Sequence, residues 1–242
     1  MNVRVNSSIS PSFSVSDSIK RPANTTPYAA NKSINCSVAV TACAYTLKVV
    51  TLTAANAFAV GDRITVAGVN TGFTVTNIDG NWICGAGTSA TQVVFTVATQ
   101  PTGTTPQTIS VGTIAKMLSL DVAGVAGCGV ILSRLSIACQ GVAMLGGIRC
   151  WLYDTQTTVL VDQGTFTLLN ANDAYRRDYV DFYPVTGGSG SDVTFADVKM
   201  WQVFKAAATD TRLYLRLEAL SAATPVSGAV ITVRAAGVQL LG

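Results

Sequence analysis

The chain has no histidine among its 242 residues, so it lacks the side chain most often used as a general base or metal ligand. Nucleophile arrangements that pair Ser or Cys with His are therefore excluded, as are metal sites that require His. The six cysteines lie at positions 36, 43, 84, 128, 139 and 150, and no pair has the Cys-x-x-Cys spacing of a zinc site. We predict no enzyme activity, no metal and no cofactor. The thiols are expected to be free and buried, with a Cys36–Cys43 bridge as the alternative.

Charge is also scarce. Charged residues make up 12% of the chain, about half the usual share. A surface of Thr, Ser, Ala and Gly gives little electrostatic repulsion between copies, so we predict that part of it is buried in an assembly. A monomer with a Thr/Ser-coated exterior is the alternative. The basic residues are scattered rather than concentrated in a dense patch, and we predict no nucleic-acid partner.

Long apolar runs are missing too. The segment Met1–Ser18 contains no apolar block, which predicts the absence of a secretory signal peptide and synthesis in the cytoplasm. The most apolar region, Val122–Gly147, is interrupted by Arg134 and Gln140 and favours two core strands over a membrane span. We predict no membrane partner. Neither glycine-rich phosphate-binding motif occurs.

Strand patterns are what the sequence does contain. In Arg212–Glu218, three leucines alternate with Arg212, Arg216 and Glu218, which predicts an antiparallel strand with one face in water. Short β-branched runs bounded by Gly, Asn, Asp and Pro recur along the chain. The predicted fold is all-β, a jelly-roll-like antiparallel β-sandwich with a small β barrel or sandwich module inserted into it or preceding it, and an extended N-terminal arm.

The predicted domains are an arm at 1–35, a small β module at 36–115 and the main sandwich at 116–242. The predicted strands of the module are Tyr45–Thr53, Arg63–Ala67, Phe73–Ile78, Gln92–Ala98 and Thr108–Ile114. Those of the sandwich are Gly129–Cys139, Gly147–Tyr153, Ser191–Ala196, Met200–Phe204, Arg212–Glu218 and Val230–Arg234.

The arm is basic and punctuated by prolines. Pro22 and Pro27 fix their own φ angles and keep the preceding residues out of the helical region. The segment Lys20–Ala30 has few apolar side chains to bury, so we predict that it lies along a neighbouring molecule and that its removal leaves the body folded. The predicted partner-binding residues are Lys20, Arg21, Pro22, Thr25, Thr26 and Tyr28.

A second candidate site lies in Asp173–Tyr183, where tyrosines alternate with arginines and aspartates. These residue types fit a protein interface or strand edge, a sugar-binding groove, or a glycosidase pair formed by Asp178 and Asp181. The interface interpretation is favoured, carbohydrate contact stays open, and no catalytic residue is assigned. The predicted contact residues are Tyr175, Arg176, Arg177, Tyr179 and Tyr183.

The segment Lys20–Asn31 resembles the Arg-Pro-Ala-Asp-Thr-Thr-x-Tyr-x-x-Gly-Asp opening of a family of tailed-phage virion structural proteins, although the chain departs from that pattern at Asn24, Asn31 and Lys32. The runs Ile131–Ile137 and Ile148–Tyr153 and the later strand Arg212–Leu215 are similar to the β-sandwich body of that family. Separately, Phe58–Val69 looks like a small β module that recurs in phage structural proteins.

The resemblance implies a capsid decoration or cement protein on the outer surface of the virion. Its partners would be the major capsid protein and further copies of itself, as a dimer or trimer, with Arg21, Pro22 and Tyr28 anchoring the arm on the shell. The alternative is a receptor-binding or carbohydrate-binding tail or head-fibre protein.

Overall fold

The computed structural model describes residues 12–21, 27–72, 75–103, 107–108, 112–140, 146–157, 162, 164–167, 175–186, 193–223 and 228–240. Strands account for 58% of the structure and helix for 2%, which confirms the all-β prediction. No helix in these ranges is long and apolar enough to cross a membrane.

The elements follow one another as β1 (Ser12–Lys20), β2 (Lys32–Ile34), β3 (Val38–Ala39), β4 (Ala42–Thr46), β5 (Val49–Thr53), β6 (Arg63–Ala67), α1 (Val69–Gly72), β7 (Gly80–Ile83), β8 (Gln92–Thr96), β9 (Gln107–Thr108), β10 (Thr113–Asp121), β11 (Gly129–Gln140), β12 (Ile148–Tyr153), β13 (Arg176–Phe182), β14 (Val185–Thr186), β15 (Val193–Lys205), β16 (Arg212–Ala219) and β17 (Val230–Gln239).

Two of the sheets carry the sandwich. One is five-stranded in the order β1-β17-β11-β15-β14, and the other is eight-stranded, with β13-β12-β16-β10-β6-β7 as its main path. Among the eight long strands β1, β10, β11, β12, β13, β15, β16 and β17, the first lies beside the last and the third beside the sixth. This is the strand order of a jelly roll, so the jelly-roll-like sandwich is confirmed.

The core forms where alternating apolar side chains of the two sheets meet. In β11, Val130 and Leu132 point inward, and a bulge between Leu132 and Arg134 shifts the alternation so that Leu135 and Ile137 also point inward. The extra residue at the bulge lets one strand keep its apolar side chains on the core face along its whole length.

The predicted free arm is wrong for residues 12–21 and for the described part of 27–35. β1 pairs with β17 along its full length, from Ser12 opposite Val238 to Lys20 opposite Val230. Phe13, Val15 and Ile19 pack against the core, so the segment has the period-two pattern of a strand. β1 is the first strand of the jelly roll and a part of its own fold.

A buried ion cluster holds β1 against the opposite sheet. Lys116 Nζ of β10 lies 2.8 Å from Asp17 Oδ1 and 2.8 Å from Asp62 Oδ1. The second oxygen of Asp17 accepts a hydrogen bond from the backbone N–H of Ser119 at 2.9 Å. Burial alone would lower the pKa of Lys116, but its hydrogen bonds and charge interactions with the two carboxylates raise it above the usual value. The two ion pairs therefore connect β1 to β10 and to the residue just before β6.

The small module is inserted between β1 and β10, which decides between the two predicted arrangements. β4, β5, β8 and β9 form a separate four-stranded sheet, whereas β6 and β7 extend the eight-stranded sheet beyond β10. The predicted boundary at 115/116 falls inside β10, whose residues 113–117 pair with β6 and 118–121 with β16. The independence of residues 36–115 as a folding unit stays a prediction.

Several predicted strands need correction. Tyr45–Thr53 is divided between β4 and β5 by a turn at Leu47 and Lys48. Within Phe73–Ile78, the described residues 75–78 form a loop, and the next strand begins at Gly80. Ser191–Ala196 and Met200–Phe204 belong to one continuous strand, β15, in the part that is described. Residues 197–199, which lie between the two predicted strands, contain no proline and continue the alternation.

The prediction that β16 has one face in water is wrong. Arg216 is 4% exposed and Glu218 is 7% exposed. Glu218 Oε2 accepts a hydrogen bond from Trp151 Nε1 at 2.9 Å, and the Arg216 guanidinium lies 4.9 Å from the centre of the Phe166 ring. The segment around Phe166 covers this face, and burial lowers the pKa of Arg216.

Candidate interaction surfaces

The outer face of the five-stranded sheet carries an exposed apolar row. The outward-facing residues of β15, here called the β15 row, are Val193, Phe195, Asp197, Lys199, Trp201, Val203 and Lys205. Trp201 is 82% exposed, Val203 67% and Phe195 47%. Beside the row, Val185 of β14 is opposite Phe195 and is also exposed. Large apolar side chains in this concentration mark an interaction surface.

Two charges lie in the middle of the β15 row. Asp197 Oδ1 accepts a hydrogen bond from Arg134 Nε at 2.6 Å, and Lys199 is the cross-strand neighbour of Arg134. The hydrogen bond to Asp197 raises the pKa of Arg134. The centre of the row is therefore charged, and large apolar side chains lie on either side of it.

The described part of the predicted Asp173–Tyr183 site, residues 175–183, lies at the β13 edge of the other sheet, and its central side chains are on the outer face. Arg149 of β12 makes a two-pronged ion pair with Asp181, Nε to Oδ1 at 2.7 Å and Nη2 to Oδ2 at 2.8 Å. Its guanidinium lies 4.3 Å from the Tyr179 ring centre, and Tyr179 in turn is 5.1 Å from the Trp151 ring centre. The bonds to Asp181 raise the pKa of Arg149, which keeps it charged.

The remaining predicted residues of this site lie around that core. Arg176 lies 5.5 Å from the Trp151 ring centre, and Arg177 pairs with the buried carboxylate of Asp154. Tyr175 and Tyr183 are exposed beside either end of β13. Arg149, Trp151, Arg176, Tyr179 and Tyr183 are called the β13 surface below.

The glycosidase pair is not supported by the geometry. Asp178 and Asp181 are three residues apart in a regular stretch of β13, so their side chains leave opposite faces of the sheet. Asp181 is bound to Arg149, and Asp178 accepts a hydrogen bond from Gln202 Nε2 at 2.7 Å. The two carboxylates therefore do not face one substrate. Among the described residues, no group of three or more Cys, Asp or Glu side chains is placed to hold a metal ion.

The predicted arm site is only partly available to a partner. Arg21 is 2% exposed and Tyr28 is fully buried, with the guanidinium 4.8 Å from the ring centre. Tyr28 Oη donates to Asp162 Oδ1 at 2.5 Å, and the same oxygen accepts the N–H of Asn35 at 3.0 Å. Burial, together with Asp162, raises the pKa of Tyr28. The assignment of Arg21 and Tyr28 to a partner contact is wrong, because both anchor the N-terminal segment to its own chain.

The other arm residues are not decided in the same way. Lys20 is exposed at the end of β1, and its role in partner binding stays a prediction. Pro22, Thr25 and Thr26 lie outside the described residues, and their role stays a prediction.

Trp201 is not among the contact residues predicted from the sequence. The sequence does indicate this surface, because Phe195, Trp201 and Val203 lie an even number of residues from Asp197 and Lys199 and so share one face of a strand with them. Apolar side chains on the same strand face as charges indicate an outer face with a partner to bind.

A shallow groove of about 370 Å³ lies beside the inserted module. Arg63, Asn81, Trp82 and Gln156 are among its lining residues. The Trp82 ring stacks on Phe95 with centres 5.5 Å apart, and its Nε1 donates to the Ile78 carbonyl at 2.7 Å. An indole held in this way beside amide side chains is a typical setting for a sugar ring.

No protein-family model matches the chain, and no curated protein matches it either.

Proposed function

We propose that the chain is a non-enzymatic structural protein of a tailed-bacteriophage virion. It acts as a decoration or cement protein that binds the outer surface of the capsid and bridges major capsid subunits, after synthesis in the host cytoplasm. The resemblance of Lys20–Asn31 and of the sandwich strands to virion structural proteins supports the phage assignment.

The observation that carries the contact role is the presence of exposed aromatic side chains on both outer faces of the sandwich. Trp201 lies on the outer face of one sheet and Tyr179 on that of the other. A bridging protein requires two separate contact surfaces, and Trp, Tyr and Arg are the residues that contribute most at protein interfaces.

We assign the capsid contact to the β13 surface. The Asp181 carboxylate and the Tyr179 ring already hold Arg149 in place, so little side-chain freedom is lost when a partner binds. Tyr179 and Tyr183 add exposed aromatic area at low entropic cost. In this proposal the β13 edge of the sandwich anchors the chain on the capsid, in place of Arg21 and Tyr28.

The first test is composition. Quantitative mass spectrometry of purified virions is expected to find the chain in a fixed ratio to the major capsid protein. Its absence from intact particles contradicts the proposal.

The second test is binding to particles that lack the chain. Tyr179→Ala combined with Tyr183→Ala is expected to lower the particle affinity at least about tenfold, because each removes an exposed anchor. Leu47→Ala, at an exposed residue of the inserted module, serves as the matched control and should bind normally. Equal binding of both variants would remove the β13 surface from the capsid contact.

The groove beside Trp82 favours a second candidate function, that of a receptor-binding or carbohydrate-binding tail or head-fibre protein. Co-sedimentation with host cell-wall material and binding to a glycan array test it. Asn81→Ala and Gln156→Ala are then expected to reduce glycan binding while particle binding is unchanged. The absence of any glycan signal for the wild-type chain rejects this function.

A further inference from the structure

The β15 row is symmetric in chemistry about Val198. On one side of Val198 the outward residues are Asp197, Phe195 and Val193, and on the other side they are Lys199, Trp201 and Val203. Each half thus runs from a charge through an aromatic ring to valine, and the two central charges are opposite in sign.

We propose that the β15 row is a two-fold self-association surface whose partner is a second copy of this chain. The two five-stranded sheets face each other with their β15 strands antiparallel, and the axis passes over Val198. In that arrangement Asp197 of one copy faces Lys199 of the second, Phe195 faces Trp201, and Val193 faces Val203. A two-fold contact uses the same patch on both copies, so it requires this kind of self-complementary order.

The charges fit this arrangement. Asp197 is bound within its own chain by Arg134 on β11, and Lys199 lies opposite Arg134 on the same face of the sheet. Across the axis, Lys199 of each copy reaches the Asp197 carboxylate of the other, and each carboxylate is shared by two cations. An unrelated acidic partner has no need for the aspartate or for the mirrored order of the apolar residues.

The size of the surface fits a dimer contact. β15 has 13 residues, and it lies between β14 and β11, which carry Val185 and Ile131 on the same outer face. β17 lies on the far side of β11, so β15, β11 and β17, with 13, 12 and 10 residues, form a strip of roughly 40 Å by 15 Å. Two copies of that strip cover about 1,200 Å² in all, the lower limit of a stable interface. Packing face to face also leaves the β14–β15 hydrogen bonds intact.

Self-association deepens the proposed function, because a dimer presents two β13 surfaces and links two capsid sites at once. It does not depend on that function, because it is measured on the isolated chain. A failure of dimerisation leaves attachment through the β13 surface untouched, and a failure of attachment leaves the dimer untouched.

The experiment is sedimentation velocity of the purified full chain over a range of concentrations. The wild type is expected to shift from monomer to dimer. Trp201→Ser should raise the dimer dissociation constant at least about tenfold, since the substitution occurs twice per interface. Leu47→Ser, at an exposed apolar residue of the inserted module, should leave the dissociation constant unchanged.

A charge exchange tests the axis itself. Asp197→Lys and Lys199→Asp should each weaken the dimer at least about fivefold, because each places like charges opposite one another. The double variant carrying both changes restores opposite charges across the axis and places an acid directly opposite Arg134, so its dissociation constant should return to within about threefold of the wild-type value.

Three results would overturn the proposal. They are a wild type that stays monomeric at every concentration, a trimer or open polymer in place of the dimer, and a double variant that dimerises no better than the single variants. The first result, combined with normal particle binding that Trp201→Ser abolishes, would assign the row to a capsid contact instead.

Discussion

The N-terminal segment has the composition of an external contact but is internal, whereas β15 has the pattern of an ordinary strand but is exposed. Residues 12–35 are basic and proline-containing, yet Ile19, Arg21 and Tyr28 are buried within the chain's own fold. β15 has an ordinary strand pattern, yet Trp201 and Val203 on it are exposed. The comparison shows that composition identifies residues capable of contact, whereas the position of a strand in the sandwich decides whether the contact is internal.

The largest expected effect comes from breaking the ion cluster that holds β1. Lys116→Met leaves the partly buried carboxylates of Asp17 and Asp62 without their cation, so the free energy of unfolding should fall by about 3 kcal/mol, the lower end of the cost of breaking a buried pair. Denaturant titration measures the loss. Lys48→Met, at an exposed lysine in the turn between β4 and β5, is the control and should change stability by less than about 0.5 kcal/mol. Similar losses for the two variants would contradict the internal role of β1.

A smaller effect is expected at the second anchor of the N-terminal segment. Tyr28→Phe removes the hydrogen bond to Asp162 inside a buried site, and should cost about 1–2 kcal/mol of unfolding free energy. Tyr183→Phe removes the same hydroxyl from an exposed ring and should be neutral in the same denaturant titration. If Tyr28→Phe is also neutral, Tyr28 does not tie the segment to the fold.

Alkaline pH should lower the free energy of unfolding through the buried thiols of Cys36 and Cys84. Burial raises the pKa of Cys36 and of Cys84 from 9.0 to about 12. Above pH 9 the unfolded chain loses these protons and the folded chain does not, so stability falls as the pH rises, by about 1.4 kcal/mol per thiol at pH 10. Lys116 stays charged through this range because its pKa is raised, so its ion pairs continue to stabilise the fold. Cys84→Ala should flatten the decline measured by thermal unfolding between pH 8 and pH 10, and an equally steep decline would exclude Cys84 as a source.

The smallest effect on stability is expected in the β15 row. Trp201→Ala should change the free energy of unfolding of the monomer by less than about 0.5 kcal/mol, because its ring is 82% exposed. Trp151→Ala, on the outer face of the other sheet, should cost about 3 kcal/mol, because that ring is buried against Phe166 and Tyr179. A destabilising Trp201→Ala in dilute monomer would mean that the row is already covered within the chain.

Much of the fold could be predicted from local alternation. Arg63–Ala67 forms the predicted strand, and the all-β sandwich follows from period-two patterns such as that of Arg212–Glu218. The same alternation is present in Phe13, Val15 and Ile19, so the strand pattern of β1 can be read from the sequence. The charges and prolines that follow it indicate a free arm, and this second pattern does not describe the fold of residues 12–20.

Other features depend on contacts between distant residues and could not be read locally. Lys116 meets Asp17 and Asp62 only because the jelly roll brings β1 and β10 together across an insertion. The alternation in β16 predicts an outer face, but only the packing of Phe166 shows that Arg216 on this face is covered. The exposure of Trp201 has the same origin, since the described residues place no segment over β15.

Hydrogen–deuterium exchange of the isolated chain tests most directly whether the N-terminal segment is structural. Peptides covering Ser12–Lys20 are expected to retain slowly exchanging amides that are lost together with those of Val230–Gln239, because the two strands pair along their whole length. Rapid exchange throughout Ser12–Lys20 while Val230–Gln239 remains protected would contradict the account and return the segment to the role of a free arm.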